Sequence, residues 1–121
     1  MTQKQILRTK ADLLWKMACF KKWGRKCEIC GGIFKVTPHH FYYRNNSPYL
    51  RFSILNGIIL DAKCHFLLHF HDPKLIEEKI IKIRGKKWLN KLNKLRNSEP
   101  KYFKITTQWL EEKNKELKKL L

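Results

Sequence analysis

The stretch PHHFYYRNNSPYLRFSILNGIILDAKCHFLLHFH, residues 38–71, contains every histidine of the chain. Its first part continues IFKVT, and IFKVTPHHFYYR reads as β-structure because β-branched and aromatic residues dominate it, with a break at Pro38. NNSP is a turn. GIILDAKCHFLLHFH begins extended and turns helical. His65 and His69 then lie one helical turn apart, so both rings leave the same face and can share a cation. His39 and His40 would point to opposite faces within a strand, but diverge less at a strand end. One could then ligate a metal while the other reaches an attacking water. Asn56, at the start of GIIL, is placed to hydrogen-bond backbone on the facing segment and hold the loop bearing His40. His71 has no such place and reads as a surface residue.

Upstream, TKADLLWKMACFKKW has apolar residues three to four apart and reads as a helix. Thr9 and Asp12 resemble a capping pair, and Gly24 ends the helix. Cys19 falls on the apolar side as a small core residue. CEICGG has the spacing of a zinc knuckle, whose glycines let backbone amides turn toward sulfur. Cys27 and Cys30 need partners. Cys64 supplies one, and Asp61 stands three residues before it. A Cys₃Asp zinc site is chemically sound, and a Cys₃ site closed by water less so. Alternatively, Asp61 is the N-cap of the helix that carries His65.

Downstream, Asp72–Pro73 has the form of an N-cap and first helical residue. Helices are expected over roughly 73–84, ended by Gly85, over 86–96, and from about Thr106 or Thr107. The apolar residues Ile80, Ile81, Ile83, Trp88, Leu89, Leu92 and Leu95 can pack or self-pair. Lys79, Lys82, Arg84, Lys86, Lys87, Lys91, Lys94 and Arg96 form a basic tract suited to a phosphate backbone. Residues 1–72 thus form one unit with its N-terminal helix. Residues 73–121 form a basic helical region, part of that domain or appended to it.

The chain has 121 residues, with 27 Lys and Arg against 10 Asp and Glu, a formal charge of +17. So one-sided a charge on a small protein implies a polyanionic partner, nucleic acid before an anionic membrane. No apolar run approaches spanning length, and MTQKQILRTKADLLW carries no secretory pattern. An intracellular chain with reduced or metal-bound cysteines is expected.

His-His, then Asn, then His-x-x-x-His resembles the HNH, or ββα-metal, nuclease motif, with a second half similar to that of colicin nuclease domains. The resemblance extends to the Rap/NinG-type phage recombination nucleases. It is carried by ADLLWKMACFKKWGRKCEICGG, by HFYYRNNSPYLRFSILNG and by the tail LEEKNKELKKLL. It departs from them at Asp61, where a cysteine is usual, and at the colicin-like His69. It implies an α+β fold, a ββα-metal core with a zinc knuckle between an N-terminal helix and the basic C-terminal helices. It further implies that His39, His65 and His69 hold one divalent cation, that His40 is the general base and that Asn56 is structural. The cation expected is Mg²⁺ or Mn²⁺, with Zn²⁺ or Ni²⁺ suited by ligand preference. A structural Zn²⁺ would sit on Cys27, Cys30, Asp61 and Cys64. Arg44 and Arg51 would bind phosphate, or stand as solvated arginines, and Lys82, Lys86 and Lys87 would contact DNA.

The expected activity is phosphodiester hydrolysis on branched or structured DNA in recombination, in the cytoplasm of a host cell carrying a phage or mobile element. A homodimer would suit cutting two strands. A homing-type nuclease and a non-catalytic zinc-stabilised DNA-binding module are the alternatives. A colicin-like toxin would need delivery segments that this length does not accommodate.

Overall fold

The computed structural model describes residues 1–121. Its element order is α1 (Gln3–Trp23), β1 (Thr37–His40), two 3₁₀ turns (Pro48–Leu50 and Ile54–Asn56), β2 (Gly57–Leu60), α2 (Ala62–Phe70), α3 (Pro73–Arg84), α4 (Lys86–Asn97) and α5 (Thr107–Lys119). This is an α+β architecture around one small antiparallel sheet. No helix is long and apolar enough to cross a membrane.

α1 begins earlier than Thr9. Thr2 caps it in a reciprocal box with Gln5, so the first turn is already satisfied there. Thr9 instead donates its hydroxyl to the Gln5 carbonyl, and Asp12 bonds Arg51. The helix ends at Gly24, whose φ of 93° suits glycine and whose N–H closes onto Phe20.

The sheet is the middle layer. β1 and β2 pair Thr37 with Leu60, Pro38 with Ile59, His39 with Ile58 and His40 with Gly57. Side chains alternate across such a ladder. Ile58 and Leu60 enter one core with Leu68, Ile76, Ile80 and Leu92 of α2–α4. Ile59 enters the other with Leu14, Trp15, Ala18 and Cys19 of α1 and Leu110 and Leu117 of α5. By the same alternation His39 faces the α2 side and His40 the α1 side. Pro38 is a strand residue and not a break. The β-reading of residues 33–44 contracts to four residues, because β2 offers only four partners and Lys35 takes φ 50°.

Residues of both halves of the chain build both cores. Ile80, Trp88 and Leu92 are buried, and Ile81, Leu89 and Leu95 pack on them, so the apolar side of the basic helices is spent inside the molecule. Ile83 alone of that set is exposed. Three tryptophans fix the segment ahead of β2. Trp15, Trp23 and Trp88 donate their indole N–H groups to the successive carbonyls of Ser53, Ile54 and Leu55, at 2.8, 3.0 and 2.9 Å. Each bond satisfies a half-buried donor and acceptor that would otherwise lose water without return.

Candidate functional site

α2 and the residue before it contribute to two clusters of ligand-type side chains. The first joins His39 of β1 to His65 and His69 of α2. Their ligand nitrogens all lie within 4.8 Å of one another. The His39 and His65 rings stack at 3.9 Å, and His69 stands edge-on to both. Burial, with the neighbouring His65 and His69, pushes His39 down to about 3, and burial with His69 lowers His65. Both rings are therefore neutral at neutral pH, with bare nitrogens to offer. His39 Nε2 is buried and has no hydrogen-bond partner. A polar atom left this way costs free energy unless something outside the protein meets it.

His40 stands beside this cluster on the opposite face of β1. Its Nε2 lies 2.8 Å from the Arg51 carbonyl oxygen. A carbonyl only accepts, so Nε2 carries the hydrogen and Nδ1 is the bare nitrogen. Burial lowers the His40 pKa, with the Arg51 carbonyl opposing it. His39, His40, Tyr43, Arg44, Asn45 and His69 line one open cleft of ≈ 370 Å³. Burial, and then Glu77, raises the Tyr43 phenol, which stays a neutral donor at the cleft wall. Arg44 is exposed and forms no ion pair.

Asn56 lies fully buried between the two segments. Its Oδ1 accepts the Tyr42 N–H at 2.8 Å, and its Nδ2 donates to the carbonyls of Tyr42 and Leu50 at 2.9 and 3.4 Å. One amide thus ties the chain leaving His40 to the loop that leads into β2. The structure brings together His39, His40, Asn56, His65 and His69. It does not leave Arg51 free for an anion. The Arg51 guanidinium forks onto Asp12, Nε to Oδ1 at 3.1 Å and Nη2 to Oδ2 at 2.8 Å. Lys82, Lys86 and Lys87 are solvent-exposed, whereas Arg84 of the same tract is buried in an ion pair with Glu28 and Arg96 lies over the Tyr42 ring. Because Gly85 separates α3 from α4, Lys82 and Lys86 stand on different helices. His71 is exposed at the end of α2.

The second cluster is Cys27, Cys30, Asp61 and Cys64, whose ligand atoms also lie within 4.8 Å of one another. Four ligands on a tetrahedral zinc with sulfur at about 2.3 Å stand roughly 3.8 Å apart, so this set fits with small adjustment. Asp61 caps α2, as one of its two sequence readings expects, and its second oxygen lies among the other candidate ligands. Oδ1 accepts the Cys64 N–H at 2.9 Å and caps α2, while Oδ2 takes the Cys30 thiol at 2.9 Å. That thiol and the Cys64 N–H hold the Asp61 carboxyl below its usual range. Burial works against a Cys27 thiolate, but the N–H groups of Cys30, Asp61 and Ile29 outweigh it and lower its pKa. A methyl group at Gly32 would lie 2.3 Å from Asp61 Oδ2 and 3.3 Å from Cys30 Sγ, so only glycine lets the knuckle close. The cluster can hold a metal ion, and its donors suit a structural zinc.

Trp15 and Glu28 also hold the segments around these clusters, and neither is marked by the sequence. Asp12 reads only as half of a cap, because its partner Arg51 is far along the chain. Comparison of the chain with protein-family models, with curated proteins and with solved structures gives no match.

Proposed function

We propose that this protein is a metal-dependent endonuclease of the HNH type, hydrolysing phosphodiester bonds in DNA. The observation that carries the reading is the convergence of His39, His65 and His69 beside a fourth imidazole, His40, whose Nε2 is occupied by a carbonyl. A structural histidine cluster needs no such neighbour. The donors fit a divalent cation: three imidazoles, one with an orphaned buried nitrogen. His39, His65 and His69 would hold that cation, which supplies Lewis acidity toward the phosphate and the leaving 3′ oxygen.

The remaining steps fall to the protein. His40 lines the cleft, and its bare Nδ1 takes the proton of the attacking water. An imidazole is suited to this near neutral pH, and such transfer is worth about 10²–10⁴-fold. Asn56 keeps the His40 segment in register with the loop before β2. Arg44, exposed and unpaired on the cleft wall, binds the phosphate next to the cut. The exposed Lys82, Lys86 and Lys87 hold the backbone further away, and a charge of +17 concentrates the whole molecule on DNA. Branched or otherwise structured DNA of a phage or mobile element is the substrate class proposed.

Incubation with supercoiled plasmid and Mg²⁺ or Mn²⁺ tests the reading. Wild type is expected to nick or linearise it, and His40→Ala to lose cutting while still binding DNA and metal. Plasmid that stays supercoiled with wild type across metals would instead identify a zinc-stabilised binding module.

A further inference from the structure

We propose that Asp12 and Trp15 of α1 are positioning residues for His40, and that Arg51 serves the site through its main-chain carbonyl, not by gripping phosphate. The inference rests on the reading of His40 as the base and deepens it.

The His40 ring is restrained twice. Trp15 lies flat against it, with centroids 4.2 Å apart and planes 3° from parallel, which fixes the plane of the imidazole. The Arg51 carbonyl at 2.8 Å fixes its rotation within that plane and its tautomer. Neither restraint would hold if the loop before β2 could drift. α1 grips that loop at two points one helical turn apart. Asp12 takes the Arg51 guanidinium in a two-pronged pair, and Trp15 donates its indole N–H to the Ser53 carbonyl at 2.8 Å. Bidentate carboxylate–guanidinium pairs set orientation as well as distance. Asn56 holds the preceding peptide through the Leu50 carbonyl. The carbonyl that fixes His40 therefore belongs to a residue anchored by its own side chain.

The close approach of α1 to the sheet depends on Gly57, the residue opposite His40 in the ladder. A Cβ there would lie 3.2 Å from Trp15 and 2.4 Å from Cys19 Sγ. Arg51 itself is only 15% exposed, against 32% for Asp12, so a phosphate would have to displace the carboxylate to reach it.

The two readings of Arg51 predict opposite behaviour for Asp12→Asn. If Arg51 were a phosphate ligand held in check, removing the carboxylate would free it, and DNA binding and cutting would both rise. If Asp12 positions His40, turnover at saturating plasmid falls about 10- to 100-fold. DNA affinity is then unchanged or tighter, since one negative charge has gone. Asp12→Glu restores part of the loss, and Arg51→Lys, which keeps the cation but not the fork, reproduces it. The independent readout is the ¹⁵N spectrum of histidine-labelled full-length protein. Wild type should show His40 as the single Nε2–H tautomer, and Asp12→Asn a mixture. Circular dichroism confirms that each variant is folded, and Arg51→Lys carries the test should Asp12→Asn unfold. Turnover at or above wild type with an unchanged His40 spectrum overturns the proposal. Should His40→Ala cut normally, it is the base assignment that fails, and the tautomer measurement still decides whether α1 orients the ring.

Discussion

Glu28 of the cysteine knuckle and Arg84 at the end of α3 share a two-pronged ion pair, Nε to Oε1 and Nη2 to Oε2, each 2.7 Å long. Fifty-six positions separate them in sequence. Their side chains are 11% and 4% exposed. Glu28 also accepts the Ile59 N–H at 2.7 Å, and the Arg84 guanidinium covers the Trp23 ring at 3.6 Å. One carboxylate thereby joins the knuckle, strand β2 and the basic helices. Removing one partner of a buried pair leaves the other charge uncompensated. Glu28→Ala is expected to destabilise the fold by about 3 kcal/mol, read from urea unfolding. A loss below about 1 kcal/mol would place the pair with surface ion pairs instead.

Gly57 gives a second prediction, because its missing side chain is what lets α1 touch the sheet. Gly57→Ala would put a methyl 2.4 Å from Cys19 Sγ, and overpacking of this kind costs about 1–3 kcal/mol. Cys19→Ala removes the clashing sulfur. The double variant should then lose less than the sum of the two single variants. Additive losses in a double-mutant cycle would show that the sulfur is not the obstacle.

The helices after residue 72 were legible because their signals are local. Asp72 caps α3 through the Leu75 N–H, Gly85 separates α3 from α4, and Thr106 caps α5 through Trp109. The order and spacing of the histidines were legible for the same reason, since His65 and His69 share one helix face. Strand length was not, because it depends on how many partners β2 supplies. Nor were the pairs Asp12–Arg51 and Trp15–His40. A contact 39 residues away leaves no periodic trace, and a tryptophan that stacks on an imidazole looks in sequence like one that fills a core. Asp61 reads in sequence as either ligand or cap; in the structure Oδ1 caps α2 while Oδ2 accepts the Cys30 thiol beside the other candidate ligands.

That division permits a separation by mutation. Asp61→Asn keeps an acceptor for the Cys64 N–H but gives up the anionic ligand. Asp61→Ala gives up both. Zinc affinity should fall in both variants, and stability of the metal-free protein should fall by about 1 kcal/mol more in the alanine variant, the usual worth of an N-cap. Substitution with Co²⁺ reads the ligands directly: thiolate charge-transfer bands are expected in wild type and are weakened by Cys27→Ser or Cys64→Ser. Protein prepared gently but without zinc, and without those bands on adding Co²⁺, would show that the cluster is held by hydrogen bonds alone.

The histidine cluster sets a pH dependence in protein stripped of metal. His39, His40 and His65 all have folded pKa values below the ordinary 6.5, His39 at about 3, chiefly because they are buried. The unfolded chain therefore takes up protons below pH 6.5 that the folded chain refuses. Stability is greatest above 6.5 and declines as pH falls toward 3, by at most about 1.4 kcal/mol per pH unit for each such group. Between pH 6.5 and 5 few carboxylates titrate, so this window isolates the imidazoles. His39→Leu should flatten the slope there, because a leucine takes up no proton in either state. If urea midpoints of wild type and His39→Leu run parallel across this window, His39 is protonated as readily in the folded protein as in the unfolded chain. In that case its nitrogen is not bare at neutral pH for the reason given, and the cluster would have to bind its cation in competition with protons.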